Sequence, residues 1–151
     1  MYLDQKNGKK IIPYVIEPSV GVERLLYAII CDAFTCQKIK DDNYREVLCL
    51  DYELCPYKVA VLPLSVSLID AAKKIYQQIL NANISATFAA SGSIGKRYRK
   101  QDAIGTYYCL TIDFETVSDQ CVTIRHRDTM QQKRIKINEI NNFLSKKMIN
   151  E

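Results

Sequence analysis

Apolar residues along this chain fall into short runs divided by polar stretches, and the spacing inside each run predicts its element. Ile11 to Ile16 is a brief β-rich run, confined to a sheet edge or an interruption by Pro13, which has no N–H to donate. Pro18 and Ser19 close it. Leu25, Leu26, Ile29 and Ile30 then recur at helical spacing, with Ala28 and Ala33 adding propensity, so a helix is predicted over about 20–34. Gln37 to Asn43 is polar and reads as an exposed loop, and Glu46 to Leu54 reads as a strand. Val59 to Leu64 is unbroken apolar sequence, as expected of a strand buried on both faces. Ile69, Ala72, Ile75, Tyr76, Ile79 and Leu80 recur at three and four, predicting a helix of about four turns. Ile84 to Ala90 is a second strand, Ser91-Gly92-Ser93 a helix entry, and Gly105 a helix stop. Tyr107 to Phe114 and Cys121 to Arg127 read as strands joined by a polar turn at Val117-Ser118-Asp119, and Gln132 to Ile137 adds another. Asn138 would cap a last helix with Ile140, Phe143, Leu144 and Met148 on its apolar face. This order predicts an α/β fold, a mixed sheet covered by helices, with no internal repeat.

Composition narrows the class. The chain has 151 residues, 48% hydrophobic and 25% charged, which suits one domain or one domain with an appendage and excludes intrinsic disorder. The longest apolar runs, Leu25 to Cys31 and Val59 to Leu64, fall far short of the ~20 residues that cross a membrane. No long apolar stretch follows Met1-Tyr2-Leu3-Asp4, so no signal peptide is expected. Charge is uneven: residues 1–57 hold seven Lys/Arg and nine Asp/Glu, net −2, whereas 58–151 hold fourteen and eight, net +6. The shift coincides with Cys55-Pro56-Tyr57, which is taken as the junction between a 1–56 unit and a 57–151 unit, the second suited to a polyanion. The six cysteines include no Cys-x-x-Cys pair, and His126 is the single histidine, so zinc-finger spacing is absent and free, mostly buried cytosolic thiols are expected. No local motif supports a catalytic pairing of a cysteine with His126.

Three segments carry candidate chemistry. In Glu17-Pro18-Ser19-Val20-Gly21-Val22-Glu23-Arg24, Gly21 permits close backbone approach at a helix start, and Arg24 can fork onto a phosphate or stack on a base. Glu17, at the end of a strand, can take an ammonium. The same residues equally make an ordinary strand–helix turn with a capping Ser and an exposed Glu–Arg pair. In Gly92 to Asp102, four of the five residues at 96–100 are basic, with Tyr98 among them. Helical spacing brings Lys96, Arg99 and Lys100 near one face, suited to phosphates, while Tyr98 or an Arg plane can stack on an unpaired base; the alternative is a solvated helix whose Tyr98 packs inward. In Thr123 to Arg134, strand alternation puts Arg125 and Arg127 on one face and Ile124 and His126 on the other, while Gln131 and Arg134 follow in the turn and next strand. Gln131 and the arginines have the groups that read splayed bases, and Asp128 can fix an Arg or cap a turn.

Taken in order, Pro13-Tyr14-Val15-Ile16-Glu17-Pro18-Ser19-Val20-Gly21-Val22-Glu23-Arg24, Val61-Leu62-Pro63-Leu64, Ser91-Gly92-Ser93-Ile94-Gly95-Lys96-Arg97-Tyr98, Asp102-Ala103-Ile104-Gly105, Thr111-Ile112-Asp113-Phe114 and Arg125-His126-Arg127-Asp128-Thr129-Met130 resemble the C-terminal part of the glycyl-tRNA synthetases, class II aminoacyl-tRNA synthetases. The resemblance covers nearly the whole chain. It implies that residues 1–56 are the end of a catalytic domain with the third class II motif. Arg24 would then contact ATP, and Glu17 and Ser19 would contact glycine, Glu17 taking its ammonium. It implies that 57–151 is an anticodon-binding domain, a mixed five-stranded sheet with about three helices, that binds the anticodon region of glycine tRNA. Lys96, Arg97, Arg99, Lys100, Arg125, Arg127, Gln131 and Arg134 are the region-level candidates for that contact. A full-length member is a cytoplasmic, homodimeric ligase that joins glycine to tRNA with ATP and Mg2+. The first two class II motifs are missing, so the 151-residue chain is expected to be inactive alone, with no cofactor bound. His126 stands where members often carry Asp. Competing readings are a free-standing, non-enzymatic RNA-binding paralogue, or the same region of a prolyl or threonyl enzyme.

Overall fold

The computed structural model describes residues 1–40 and 43–149, with side chains of residue 40 and 146–149 excepted. Asp41 and Asp42 of the expected loop, and the Met148 side chain, lie outside the described residues. The N-terminal part holds a two-residue ladder, β1 (Tyr2–Leu3) against β2 (Lys10–Ile11), then helix α1 (Val22–Ala33). The strand expected over 11–16 shrinks to Ile11, because β1 offers a pairing edge for two residues only. Residues 12–21 have no regular structure. The expected loop at 37–43 is instead part of a hairpin, β3 (Phe34–Lys40) and β4 (Asn43–Leu48), antiparallel with Thr35 opposite Val47 and Gln37 opposite Arg45. After Leu48 the chain makes a 3-10 turn at Tyr52–Leu54 rather than continuing as the predicted strand.

From Val59 the sequence pattern holds. The elements are β5 (Val59–Pro63), α2 (Ile69–Asn81), β6 (Ala86–Phe88), α3 (Ile94–Ala103), β7 (Tyr108–Ile112), the short α4 (Thr116–Asp119), β8 (Cys121–His126), β9 (Gln132–Lys136) and α5 (Ile140–Ile149). Two departures are local. The polar turn at 117–119 coils into α4, and Asn138 lies inside a 3-10 turn, Ile137–Glu139, that leads into α5 rather than capping it. The five-stranded sheet has the order β6-β5-β7-β8-β9. β5 runs parallel to β6 and β7, and the other pairs are antiparallel, as the mixed-sheet expectation requires.

The crossover from β5 to β6 runs one way, and that from β6 to β7 passes back over β5. Right-handed crossovers in opposite directions put α2 and α3 on opposite faces. On the first face, Val59, Val61, Tyr108, Leu110, Ile112, Val122 and Ile124 meet Ala72, Ile75 and Ile79 of α2 and Ile140 and Leu144 of α5. Each fully buried Ile there contributes about 1.5–3 kcal/mol relative to exposure. On the second face, Ala60, Leu62 and Cys109 meet Ile94 and Tyr98 of α3. Beyond α3 this second face is open. Its β8 and β9 positions alternate Cys121, Thr123 and Arg125 with partners Lys136, Arg134 and Gln132.

The first core also takes in Ala33, Leu50, Tyr52 and Cys55, so the hairpin and its exit pack on the sheet. Gly105 ends α3 at φ +80, and a Cβ there would meet the Leu48 carbonyl oxygen at 3.1 Å. Only glycine serves both the left-handed turn and that approach.

Candidate nucleic-acid interface

The carboxyl ends of the parallel strands β5, β6 and β7 meet where the crossover direction reverses. In open α/β sheets this is where ligands gather. Leu64 N–H donates to the Ile112 carbonyl at 2.8 Å, tying the loops after β5 and β7 together. After β6 the chain turns through Gly92, at φ +83, to Ser93, whose hydroxyl caps α3 by accepting from Lys96 N–H at 3.5 Å. After β7, Asp113 accepts from the backbone N–H and hydroxyl of Thr116 at 2.9 and 3.0 Å. That turn leaves Phe114 projecting, 63% exposed, along the same edge. Lys96, in the first turn of α3, is exposed. An uncovered aromatic ring, an exposed ammonium and the N–H groups of a helix start are what an unpaired base and its phosphate require.

The basic residues divide sharply between this surface and the interior. Lys96 and Lys100 are exposed, and Arg99 is half-buried, lining a cavity of about 390 Å³ against Tyr44 and Arg45 of β4. Arg97 is drawn inside. Its Nη1 donates to the carbonyls of Pro63 at 2.7 Å and Ala89 at 3.0 Å, stapling the ends of β5 and β6, and burial lowers its pKa. Arg125 is buried on the second sheet face, giving both Nη atoms to Asp102 at 2.8 and 3.0 Å while its guanidinium lies 4.8 Å from the Tyr98 ring centroid. Burial opposes its charge, but the Asp102 hydrogen bonds outweigh that and raise its pKa.

Arg127 falls just past β8 and is also buried, not aligned with Arg125 on an open face. It donates to the carbonyls of Leu50 at 2.7 Å and Gly105 at 3.1 Å and pairs with Asp128. Burial pushes the neighbouring Cys55 thiol up, against the opposing pull of Arg127. Arg134 stays on the surface but is saturated. It bonds Asp113 at 2.7 Å and Asp119 at 2.7 Å, so two carboxylates overcompensate its charge. Gln131 is exposed in the β8–β9 turn, toward the opposite end of the sheet from Phe114. Thus the structure gathers Lys96 and Lys100 on α3, gives Arg97, Arg125 and Arg127 structural partners, and sets Gln131 apart.

Two residues escape sequence reasoning. Phe114 looks like the end of a buried strand, and its exposure follows only from the turn that Thr116 and Asp113 build. Arg45 lies in a segment of mixed polarity, yet it is 2% exposed and reaches Asp102 at 3.1 Å and the carbonyls of Arg127 and Asp128 at 2.8 and 3.0 Å. In the N-terminal part, Glu17, Ser19 and Arg24 are all exposed. Among the described residues no hydrogen bond or ion pair joins them, and no group of three acidic, His or Cys side chains is placed to hold a metal. Nor is any helix there long and apolar enough to cross a membrane.

Comparison with known proteins agrees with this architecture. The chain is similar to glycine–tRNA ligases: 56% identical over 149 residues to that of Ureaplasma urealyticum serovar 10, covering 97% of this chain and 32% of that protein. It is 59% identical over 139 residues to that of Malacoplasma penetrans, covering 92% and 30%. It therefore spans about a third of the length of the curated relatives it matches. Its fold is similar to the RNA binding domain of threonyl-tRNA synthetase from Cryptosporidium parvum, with TM-score 0.61 and 24% identity, covering 64% of this chain and 25% of that one. Residues 58–147, which hold the whole five-stranded sheet, α2 to α4 and α5 as far as residue 147, match the family described as "Anticodon binding domain", and the chain belongs to that family.

Proposed function

We propose that this chain is the tRNA-binding portion of a glycine–tRNA ligase and holds the anticodon region of glycine tRNA at the carboxyl edge of its sheet. The observation that carries this is a coincidence. The match to the anticodon-binding family covers the same domain that exposes Phe114 and Lys96 along one edge. Phe114 stacks on an unpaired base, Lys96 and Lys100 neutralise phosphates, and Arg99 borders the same helix. Arg97 acts through the edge it staples, and Arg125, Arg127 and Arg134 act through the scaffold they brace. The longer cytoplasmic protein, a homodimer, joins glycine to tRNA with ATP and Mg2+, and there Arg24 contacts ATP while Glu17 and Ser19 contact glycine. Within this chain those three side chains are exposed and unenclosed, so they do not by themselves fit ATP or Mg2+, and no catalytic step is assigned to them. Residues 1–56 belong to the catalytic domain in this reading, and 57–151 to the tRNA-binding one.

The test is a tRNA panel bound by the 151-residue chain at two salt concentrations. Glycine tRNA is expected to bind more tightly than tRNAs with other anticodons, with affinity falling steeply as salt rises. Lys96→Ala should weaken binding and reduce the log–log salt slope by about 1, whereas Phe114→Ala should cost about 1–3 kcal/mol and leave the slope unchanged. Equal binding of all tRNAs, or indifference to both substitutions, would refute the assignment.

A further inference from the structure

We propose that a second pocket, on the opposite face and at the opposite end of the sheet, binds a nucleobase carrying a phosphate. It lies between the β8–β9 hairpin and α5 and encloses about 280 Å³, near the small end of ligand pockets, which start at roughly 300 Å³. Ile124 forms its floor, and Tyr108, His126 and Phe143 form aromatic walls. Tyr108 opens β7 whereas Phe114 follows its far end, so the pocket and the carboxyl edge are separate surfaces.

Lys133 is the residue that gives the pocket its chemistry. It sits opposite Ile124 in the β8–β9 ladder, on the helix-covered face, where Ile135 two residues on is apolar and packs on the core. A lysine at such a register position is tolerated because the helix leaves a cavity there, and its ammonium lies 4.1 Å from the Phe143 ring centroid. Among the described residues no acidic side chain lines the cavity. The turn residues Thr129, Gln131 and Gln132 bring hydroxyl, amide and peptide groups to the mouth.

The mouth is also preorganised. His126 Nδ1 accepts N–H bonds from Asp128 at 3.2 Å and Thr129 at 3.3 Å, which fixes the neutral ring as its Nε2-protonated tautomer. The His126 backbone N–H donates to the Gln131 carbonyl at 3.0 Å, and Met130 holds the left-handed conformation at φ 56. A pocket held in place before binding loses less entropy on ligand capture. Aromatic faces, hydrogen-bonding groups at the rim and, among the described residues, an ammonium without a carboxylate select a flat heteroaromatic ring joined to an anion. Orthophosphate satisfies only Lys133, and an uncharged nucleoside satisfies only the rings. A free mononucleotide and an unpaired base within an RNA strand present the same chemistry.

The experiment is a titration of the isotopically labelled 151-residue chain, followed by amide chemical shifts. Probes are the four ribonucleoside monophosphates, a single-stranded RNA tetranucleotide, adenosine and orthophosphate. At least one monophosphate, or the tetranucleotide, is expected to give saturable shifts centred on Thr129 to Lys133 and Phe143. A response to monophosphates identifies free nucleotide as the source, and a response to the tetranucleotide alone identifies an RNA strand. Lys133→Ala, at an exposed side chain, should weaken binding about tenfold, and Phe143→Leu, which keeps an apolar contact while removing the ring, by a similar factor. Absence of saturable binding by every nucleotide probe, an equal response to orthophosphate, or affinity indifferent to Lys133→Ala would overturn the proposal. No tRNA enters the measurement, so its outcome stands apart from that of the tRNA panel.

Discussion

Replacing Asp102 with Asn perturbs the junction of three segments with a single isosteric change. The carboxylate is 1% exposed and receives hydrogen bonds from Arg45 Nη1 at 3.1 Å and from Arg125 Nη1 and Nη2 at 2.8 and 3.0 Å. Asp102→Asn keeps the volume but removes the negative charge that offsets two buried guanidiniums. Removing one partner of a buried ion pair costs about 3–5 kcal/mol, and with two cations left uncompensated the upper part of that range, about 4–5 kcal/mol, is expected. Domains hold only about 5–15 kcal/mol in reserve, so this single change consumes a large share. At about 2–4 °C per kcal/mol for a chain of this length, Tm should fall by about 8–20 °C. Urea unfolding followed by circular dichroism measures the free energy, and an unchanged m-value confirms that the same surface unfolds. Arg45→Met is the control. It removes the Arg45–Asp102 bond as well, but Asp102 keeps both hydrogen bonds from Arg125, and the groups left without Arg45 are the Gln37 side chain and two carbonyls, so its cost should be smaller, about 1.5–3 kcal/mol. An Asp102→Asn variant within about 1 kcal/mol of the parent, or an Arg45→Met variant that loses more than it, would refute the account.

Two further outcomes test the interior. Timed labelling of the native chain with a thiol reagent, read by mass spectrometry, should modify the exposed Cys31 and Cys36 first and Cys109 last. Cys109 is buried against α3 with its thiol pushed up to about 12 by burial, so labelling of Cys109 at the rate of Cys36 would mean that α3 does not seal that face. Acid titration addresses Asp113 and Asp128: burial opposes their ionisation, yet the hydrogen bonds of Asp113 with Arg134 and Thr116, and of Asp128 with Arg127, hold both below the usual carboxylate range. With folded values below the unfolded value of about 3.9, the unfolded state binds more protons as pH drops through that window. Their stabilisation is therefore complete above about pH 4 and is lost as pH falls through the folded values. Denaturation midpoints measured down the pH scale should show this loss, and an Asp113→Asn/Asp128→Asn double variant with the parent's acid slope would contradict it.

The elements that a reader of the sequence finds at once are those whose whole pattern is dictated by burial. The unbroken Val59–Leu62 run answers to both faces of the sheet, Val59 and Val61 to one core and Ala60 and Leu62 to the other, and the three-four spacing of Ala72, Ile75 and Ile79 answers to the first core alone. The β3–β4 hairpin was hidden because the side of it that faces the sheet carries Thr35, Gln37 and Arg45 beside Val47, and polar residues there look like a loop until their partners are known. The candidate site was legible as a region and not as residues. Nothing near Arg125 in sequence announces Asp102, 23 positions earlier, so a paired interior arginine and a phosphate-seeking one have the same letter and the same neighbours. Ile11 to Ile16 failed for the opposite reason: the letters favour a strand, but a strand exists only where another lends it an edge, and β1 does so for two residues.

The seam made by Arg45 and Arg127 also bears on how such a chain can be divided. The family match begins at residue 58, yet Ala33, Val47, Leu50 and Tyr52 are buried, and Arg127 donates to the Leu50 carbonyl. A blade inserted at residue 57 would open the core and strand Asp102, Arg125 and Arg127 at a new surface. The family match and the buried core thus have different edges, the second reaching back to Ala33. For anyone grafting this domain onto another enzyme, the hairpin must travel with the sheet.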